Sequence, residues 1–215
     1  MLVWAKRIFR GVYSRFNGFP RSRDYWEERY RNGGTSGAGS YGKLADYKAT
    51  IINEFISRHN IKSILELGCG DGNQLRLAKY PSYIGYDVSP TAIALCKRLY
   101  AEDKTKVFLC YESNTKLSVA ELTLSLDVIY HLIEDRVFYR YMEDLFQSAS
   151  KYVIIYSSNK KGNQSYHERM RDFTGWVTAY QSNYKLIQEI PNPYPYNPAD
   201  EEGTSQSDFF IYERI

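Results

Sequence analysis

One stretch constrains this chain more than any other: Ile64-Leu-Glu-Leu-Gly-Cys-Gly-Asp-Gly72, an apolar run that breaks into a turn with glycine at 68, 70 and 72. The run reads as a strand, and glycines directly after it let the backbone bend sharply and approach a ligand closely. A chain built around such a unit is expected to form an α/β sheet whose first strand ends at a cradle. Glu66, just ahead of the turn, places negative charge where a phosphate would be repelled. The ligand expected there carries a cation.

Downstream, Tyr83-Ile-Gly-Tyr-Asp-Val88 reads as a second strand ending in an acid, followed by Ser89 as helix cap and Pro90 at the first helical position. An acid about 20 residues after a glycine turn, at the tip of the second strand, is placed to accept hydrogen bonds from ribose hydroxyls. Asp87 occupies that position. Two other readings share these residues. An ordinary α/β domain can carry a glycine turn and a capping acid, and an NAD site would need glycine where Asn73 stands and would make poor use of Glu66.

Glu66-Leu-Gly-Cys-Gly-Asp-Gly72 resembles the E/D-x-G-x-G-x-G signature of class I S-adenosylmethionine-dependent methyltransferases, and the order of elements from Ile51 to Ile215 is similar to theirs. The resemblance implies an α/β, Rossmann-like, seven-stranded and mostly parallel sheet with an antiparallel last strand and helices on both faces. It implies S-adenosyl-L-methionine as cofactor, whose ammonium and sulfonium suit Glu66. Its holders are then expected to be Glu66, Gly68, Cys69, Gly70, Asp71, Asn73, Gln74, Asp87 and Val88, with Asp127 beside strand 4 and Ser36 and Gly39 on a lid. The stretches Gly33 to Ala45, Ser125 to Asp135 and Ile155 to Asn159 look like a bacterial subgroup that occurs with capsule and surface-polysaccharide genes, including those that build O-methyl phosphoramidate groups. On that resemblance the expected reaction is methyl transfer to an oxygen of a small molecule, nucleotide-activated sugar or glycan precursor.

At 215 residues the chain suffices for one well-buried domain with decoration at its ends. The division expected is an N-terminal helical extension with a glycine-rich cofactor lid over residues 1–45, then the methyltransferase domain over 46–215. The net charge of +3 and the lack of a long basic run with interleaved aromatics argue against nucleic acid as partner. Cys69, Cys96 and Cys110 show no metal-ligand spacing and suggest reduced thiols in a cytoplasmic protein, so no metal is expected. The opening Met1 to Arg10 mixes apolar and basic residues without a span long enough to cross a bilayer. It suits a short amphipathic helix, either touching a membrane surface or packing on this domain or a partner.

Asn32 to Gly42 is too glycine-rich for regular structure and is expected to be a mobile loop, tethered to a helix over Lys43 to Asn60. Further helices are expected over Pro90 to Glu102, Glu134 to Ser148 and Tyr166 to Gln181. The remaining strands are expected at Lys106 to Cys110, Leu122 to Tyr130, Tyr152 to Tyr156, Lys185 to Ile190 and Phe209 to Arg214.

Ligands of such sheets bind outside the C-terminal strand ends. There His131 is a candidate general base with a near-neutral pKa, or else a structural histidine, while His59 reads as a surface residue. On the expected last helix His167 and Arg171 share a face, and with Arg169, Lys160 and Lys161 they suit an anionic acceptor; a solvated helix start is the alternative. Tyr41, Tyr130 and Asn159 complete the candidates, Tyr41 with His131 and His167 as catalytic groups, Tyr130 and Asn159 with the arginines as acceptor-binding ones. If the acceptor oxygen is already anionic, no base is needed. The rival from another class is a methyltransferase-like fold that binds a nucleotide or a partner without catalysis.

Overall fold

A computed structural model describes residues 21–160, 162 and 167–215. The Met1 to Arg10 segment, Lys161 and the start of the helix expected from Tyr166 lie outside the described residues.

Ile64–Leu67 (β1), Tyr83–Asp87 (β2), Lys106–Cys110 (β3), Ala120–Leu126 (β4), Ala149–Ser157 (β5), Tyr184–Ile190 (β6) and Asp208–Arg214 (β7) form one sheet in the order β3-β2-β1-β4-β5-β7-β6. β1 to β5 pair in parallel, and β7 runs antiparallel to both β5 and β6. Strand order therefore reverses between β1 and β4, the position at which a crevice opens above the strand ends.

Neighbouring strand residues point to opposite faces, so one strand feeds two cores. Leu65, Leu67, Val153, Ile155 and Phe210 pack under the helices Asp135–Gln147 (α4) and Phe173–Tyr180 (α5), meeting Phe138, Met142, Phe146, Phe173 and Trp176. Ile64, Tyr83, Leu122, Leu124, Ile154 and Phe209 pack on the other face under Gly42–Arg58 (α2) and Pro90–Leu99 (α3), meeting Ile52, Phe55, Ile56, Ile93 and Cys96. Ser89 caps α3 as the sequence suggests, accepting from the Ala92 amide at 3.1 Å, with Pro90 at the first position. His59 is half-buried, its ring stacked on Phe55 at 4.2 Å.

Two elements depart from the sequence expectations, and part of the expected helical extension is seen at a definite place. The stretch of charged and aromatic residues ahead of the glycine loop is a helix, Ser22–Arg31 (α1), held to the domain where Ser22 Oγ donates to Glu134 at 2.6 Å. β4 stops at Leu126 instead of reaching Tyr130, because Asp127 takes φ +59° and Ile129–His131 close into a turn of 3-10 helix. The helix expected over Tyr166 to Gln181 begins only at Phe173, after Asp172 accepts the Gly175 amide at 3.0 Å as its cap. Residues 167–172 run irregularly alongside the β4 turn, where the Arg169 amide donates to the Tyr130 carbonyl at 2.7 Å. Among the described residues no helix is long and apolar enough to cross a membrane.

Candidate functional site

The glycine turn is fixed by the second strand. Gly68 and Cys69 both donate their amides to the Tyr86 carbonyl, at 2.7 and 3.0 Å, which folds the chain back over β2. Gly68 sits at φ +89°, and a Cβ there would lie 2.4 Å from Val128 Cγ2, so glycine is required by both conformation and space. Cys69 is a buried turn residue, its thiol pushed well up by the Cys96 hydrogen bond and by burial.

Asp87 is buried at the end of β2 and accepts the Gly70 amide on one oxygen and the Ser89 amide on the other, each at 2.9 Å. Burial raises its carboxyl to about 6 against the pull of those two bonds, with Asp71 and Glu27 adding to the rise. Each oxygen keeps lone-pair capacity for a further donor. Glu66, expected to face the ligand, is instead 5% exposed and accepts the Tyr83 hydroxyl at 2.7 Å. Burial lifts it to about 7, opposed by that bond and by the Lys48 charge.

The glycine-rich loop is clamped onto the turn by named bonds. The Ser36 amide donates to Asp71 and the Asp71 amide returns to Ser36 Oγ, both at 2.9 Å. Tyr30 lies 3.0 Å from the same hydroxyl, and Asn73 donates its side-chain amide to the Ser40 carbonyl at 2.7 Å. Tyr41, a catalytic candidate in the sequence, also belongs to this clamp: its hydroxyl donates to Asp71 at 2.9 Å, and burial together with Asp71 pushes its pKa to about 12. α1 is fastened beside it, since Glu27 accepts from the hydroxyls of Ser89 at 2.6 Å and Thr91 at 2.7 Å. The loop expected to be mobile thus carries a 3-10 turn at Ala38–Ser40 and is tied to the glycine turn through Ser36, Ser40 and Tyr41.

The residues of this cradle fit the cofactor that the sequence suggests. Gln74 donates to the Ala45 carbonyl at 3.0 Å, and its buried Oε1 has no partner among the described residues, an acceptor to which an ammonium could donate. Asp87 retains acceptor capacity for ribose hydroxyls. Val88 follows it, half-buried.

On the other side of the switch point, a cavity of about 720 Å³ is lined by Tyr25, Trp26, residues 36–40, Asp127, Tyr130, His131, His167 and Glu168, among others. Asp127, expected to touch the cofactor, forms an ion pair with Lys48 at 2.7 Å and accepts from Tyr130 at 3.1 Å and Ser207 at 2.8 Å. Gly39 lies against it, where a Cβ would come 2.7 Å from Asp127 Oδ2. Lys48 is 1% exposed. It was missed in the sequence although its spacing after Leu44 and before Ile52 puts a lysine on the buried face of α2, a placement that calls for a counter-charge.

His131 and His167 meet in this cavity, rings 5.5 Å apart and 13° from parallel, with Trp26 edge-on to His131 at 5.0 Å. Burial pulls His131 down to about 4, against the opposing bond from the His167 carbonyl, so the near-neutral value expected for it does not hold. The shared helical face for His167 and Arg171 is also absent. Arg171 is buried over Phe138 and donates to Asp135 and to the Leu132 and Ile133 carbonyls, while Arg169 reaches Asp135 at 2.9 Å and Ile133 O at 3.0 Å. Both arginines therefore tie residues 169–171 to the start of α4. Asn159 is committed to Thr174 at 2.7 Å, beside the start of α5. Glu168, Trp26 and Tyr25 lie where the sequence pointed to arginines.

In sequence, no protein-family model and no curated protein matches the chain. Its structure is similar to the methyltransferase domain of bacterial CtHen1-C, with TM-score 0.62 and 20% identity over 80% of this chain and 99% of that one. It is also similar to magnesium protoporphyrin IX methyltransferase from Synechocystis with bound S-adenosylhomocysteine, with TM-score 0.64 and 12% identity over 90% and 98%. The N-methyltransferase NodS from Bradyrhizobium japonicum, also with S-adenosylhomocysteine, gives TM-score 0.62 and 12% identity over 79% and 85%. With its strand order, antiparallel β7, glycine turn and buried Asp87, the chain has the fold of class I S-adenosylmethionine-dependent methyltransferases.

Proposed function

We propose that this protein is an S-adenosylmethionine-dependent methyltransferase acting on an oxygen of a small molecule, nucleotide-activated sugar or glycan precursor, in the cytoplasm. The observation that carries the reading is the pairing of two sites at one switch point: a glycine turn backed by Asp87, and beside it a cavity with an imidazole wall. Structural neighbours that bind S-adenosylhomocysteine support the choice of cofactor. When bound, the cofactor supplies an electrophilic methyl group. Asp87 would hold the ribose, Gln74 Oε1 and the backbone of residues 68–70 the amino acid end, and Ser36 with Gly39 would cover it. His131, Tyr130 and the edges of Trp26 and Tyr25 would line the acceptor, holding it in line with the methyl group and excluding water.

An oxygen acceptor in capsule or surface-polysaccharide synthesis, a sugar hydroxyl or a phosphoramidate, is favoured by the subgroup resemblance of Gly33 to Ala45, Ser125 to Asp135 and Ile155 to Asn159. With Arg169 and Arg171 engaged at α4, recognition of such an acceptor falls to the cavity wall. The residues from 46 onward form the catalytic domain in this reading and 1–45 its extension and lid, with the N-terminus in contact with a membrane surface. The test is calorimetry with S-adenosylhomocysteine followed by transfer of labelled methyl to a panel of capsule nucleotides and sugars. Wild type should bind in the micromolar range and Asp87→Ala should lose about 100-fold. No binding by wild type sinks the reading, and binding without transfer to any acceptor would favour a non-catalytic module.

A further inference from the structure

We propose that His131, His167 and Glu168 form a binding site for one divalent transition-metal ion in the wall of the acceptor cavity. Each residue offers one ligand atom, and the three atoms lie within 4.8 Å of one another. All three residues line the cavity.

The orientation of His131 is the second observation. Its Nδ1 lies 3.0 Å from the His167 carbonyl oxygen. A carbonyl can only accept, so Nδ1 carries the proton and Nε2 presents a lone pair. Metal-ligating histidines regularly show this arrangement, in which the far nitrogen donates to a carbonyl or carboxylate and fixes both tautomer and ring. The rings are held from outside as well: Tyr25 stacks on His167 at 5.2 Å, and Trp26 meets His131 edge-on.

His167 Nε2 and Glu168 Oε1 stand 3.6 Å apart. That is longer than a charge-assisted hydrogen bond. It is close to the separation of about 3.4 Å between two donors that are each about 2.1 Å from a tetrahedral ion. Closing the widest pair, by at most about 1.4 Å from 4.8 Å, is within reach of side-chain torsions, because the side chains of His167 and Glu168 are 36% and 37% exposed. Two imidazoles and a carboxylate suit zinc, cobalt, manganese or ferrous iron, whereas magnesium and calcium favour all-oxygen sets. Three protein ligands leave positions open towards the cavity, where an oxygen of the acceptor would bind. That use of the ion rests on the methyltransferase reading; the binding of the ion does not.

The experiment uses the untagged full chain and cobalt(II) alone. Wild type should take up one equivalent with visible ligand-field absorption. His131→Ala and His167→Ala should each weaken uptake by about 100-fold, and Glu168→Gln by about tenfold. His59→Ala should match wild type. Since the chain has three histidines, imidazole resonances of the wild-type protein give an independent reading that needs no variant. Cobalt should broaden and shift those of His131 and His167 and spare His59. Absence of saturable cobalt uptake by wild type, or shifts at His59 alone, overturns the site. Calorimetry with S-adenosylhomocysteine on the same samples keeps the two readings apart, because ion binding without cofactor binding retains the metal site and removes the methyltransferase.

Discussion

The cofactor side and the acceptor side of this molecule meet at one switch point but are held by different kinds of contact. At the glycine turn the key bond joins Gly70 to Asp87, 17 residues apart across the short connection from β1 to β2, which holds one 3-10 turn at Gln74–Leu77. In the cavity wall Lys48 and Asp127 are 79 residues apart, Ser207 and Asp127 80, and His131 and His167 36. The first region is built by local backbone geometry and the second by distant segments that converge on the irregular turn after β4. Substitutions should therefore act through backbone strain on one side and through stranded charge on the other.

The largest effect is expected on the acceptor side. Asp127→Ala leaves the Lys48 ammonium buried without its counter-charge, and the loss in urea denaturation should be about 3–5 kcal/mol. Replacing both partners, Lys48→Met with Asp127→Leu, should recover a large part of that. A single-variant loss below about 1 kcal/mol would show that the pair is not a buried one, and the contrast between the two regions would fail.

Gly68→Ala tests the cofactor side and should cost about 2–3 kcal/mol, from the left-handed backbone and from the approach to Val128. Adding Val128→Ala relieves the contact and leaves the backbone part. If the double variant were as stable as Val128→Ala alone, conformation would not be what fixes the turn.

This contrast also explains how much could be read beforehand. The seven strands, the glycine turn, Asp87 and the Ser89 cap rest on short-range patterns, and each was legible. The limits of β4 and of the last helix were not, because Asp127 adopts a positive φ that its apolar flanks do not announce, and Asp172 starts α5 seven residues later than Tyr166 would. On the expected helix Arg169 and Arg171 suit either an anionic acceptor or a solvated start, whereas in the irregular segment Asp135 and the carbonyls before α4 take up their charge. The charge of Glu66 points to a cation-bearing ligand, but its carboxylate is bonded to the Tyr83 hydroxyl within the fold.

Glu66 and Asp87 make the stability of the cofactor side depend on pH. Burial holds the Glu66 carboxyl at about 7 and that of Asp87 at about 6, both above the ordinary carboxylate range. The native state therefore binds protons more tightly than the unfolded chain. The resulting stabilisation is complete in acid, below the ordinary values, and is lost as pH rises through 6 and 7. His131, held near 4 by burial, opposes this below about pH 6.5, so the thermal midpoint of the ligand-free protein should fall between about pH 5 and pH 8 by a net loss on the order of 2 kcal/mol. Glu66→Gln should flatten most of that slope. A midpoint that rises over the same interval would contradict the burial of these carboxyls.

The smallest effect concerns the cover that spans both regions. Glu27 fastens α1 to the start of α3 through Ser89 and Thr91, while Ser36 and Tyr41 fasten the following loop to Asp71. Losing the Glu27 bonds in Glu27→Ala should loosen residues 22–40 by about 1 kcal/mol, seen as roughly fivefold faster amide exchange there. Global stability should change by less than about 0.5 kcal/mol, since the two cores do not depend on this contact. Exchange that quickens in α3 as strongly as in α1 would mean that Glu27 serves to cap α3. Exchange that quickens only in α1 and its loop would mark the cover as a separate unit, tied to the turn through Asp71 and able to open over the cofactor side while Asp127 and Lys48 keep the acceptor wall in place.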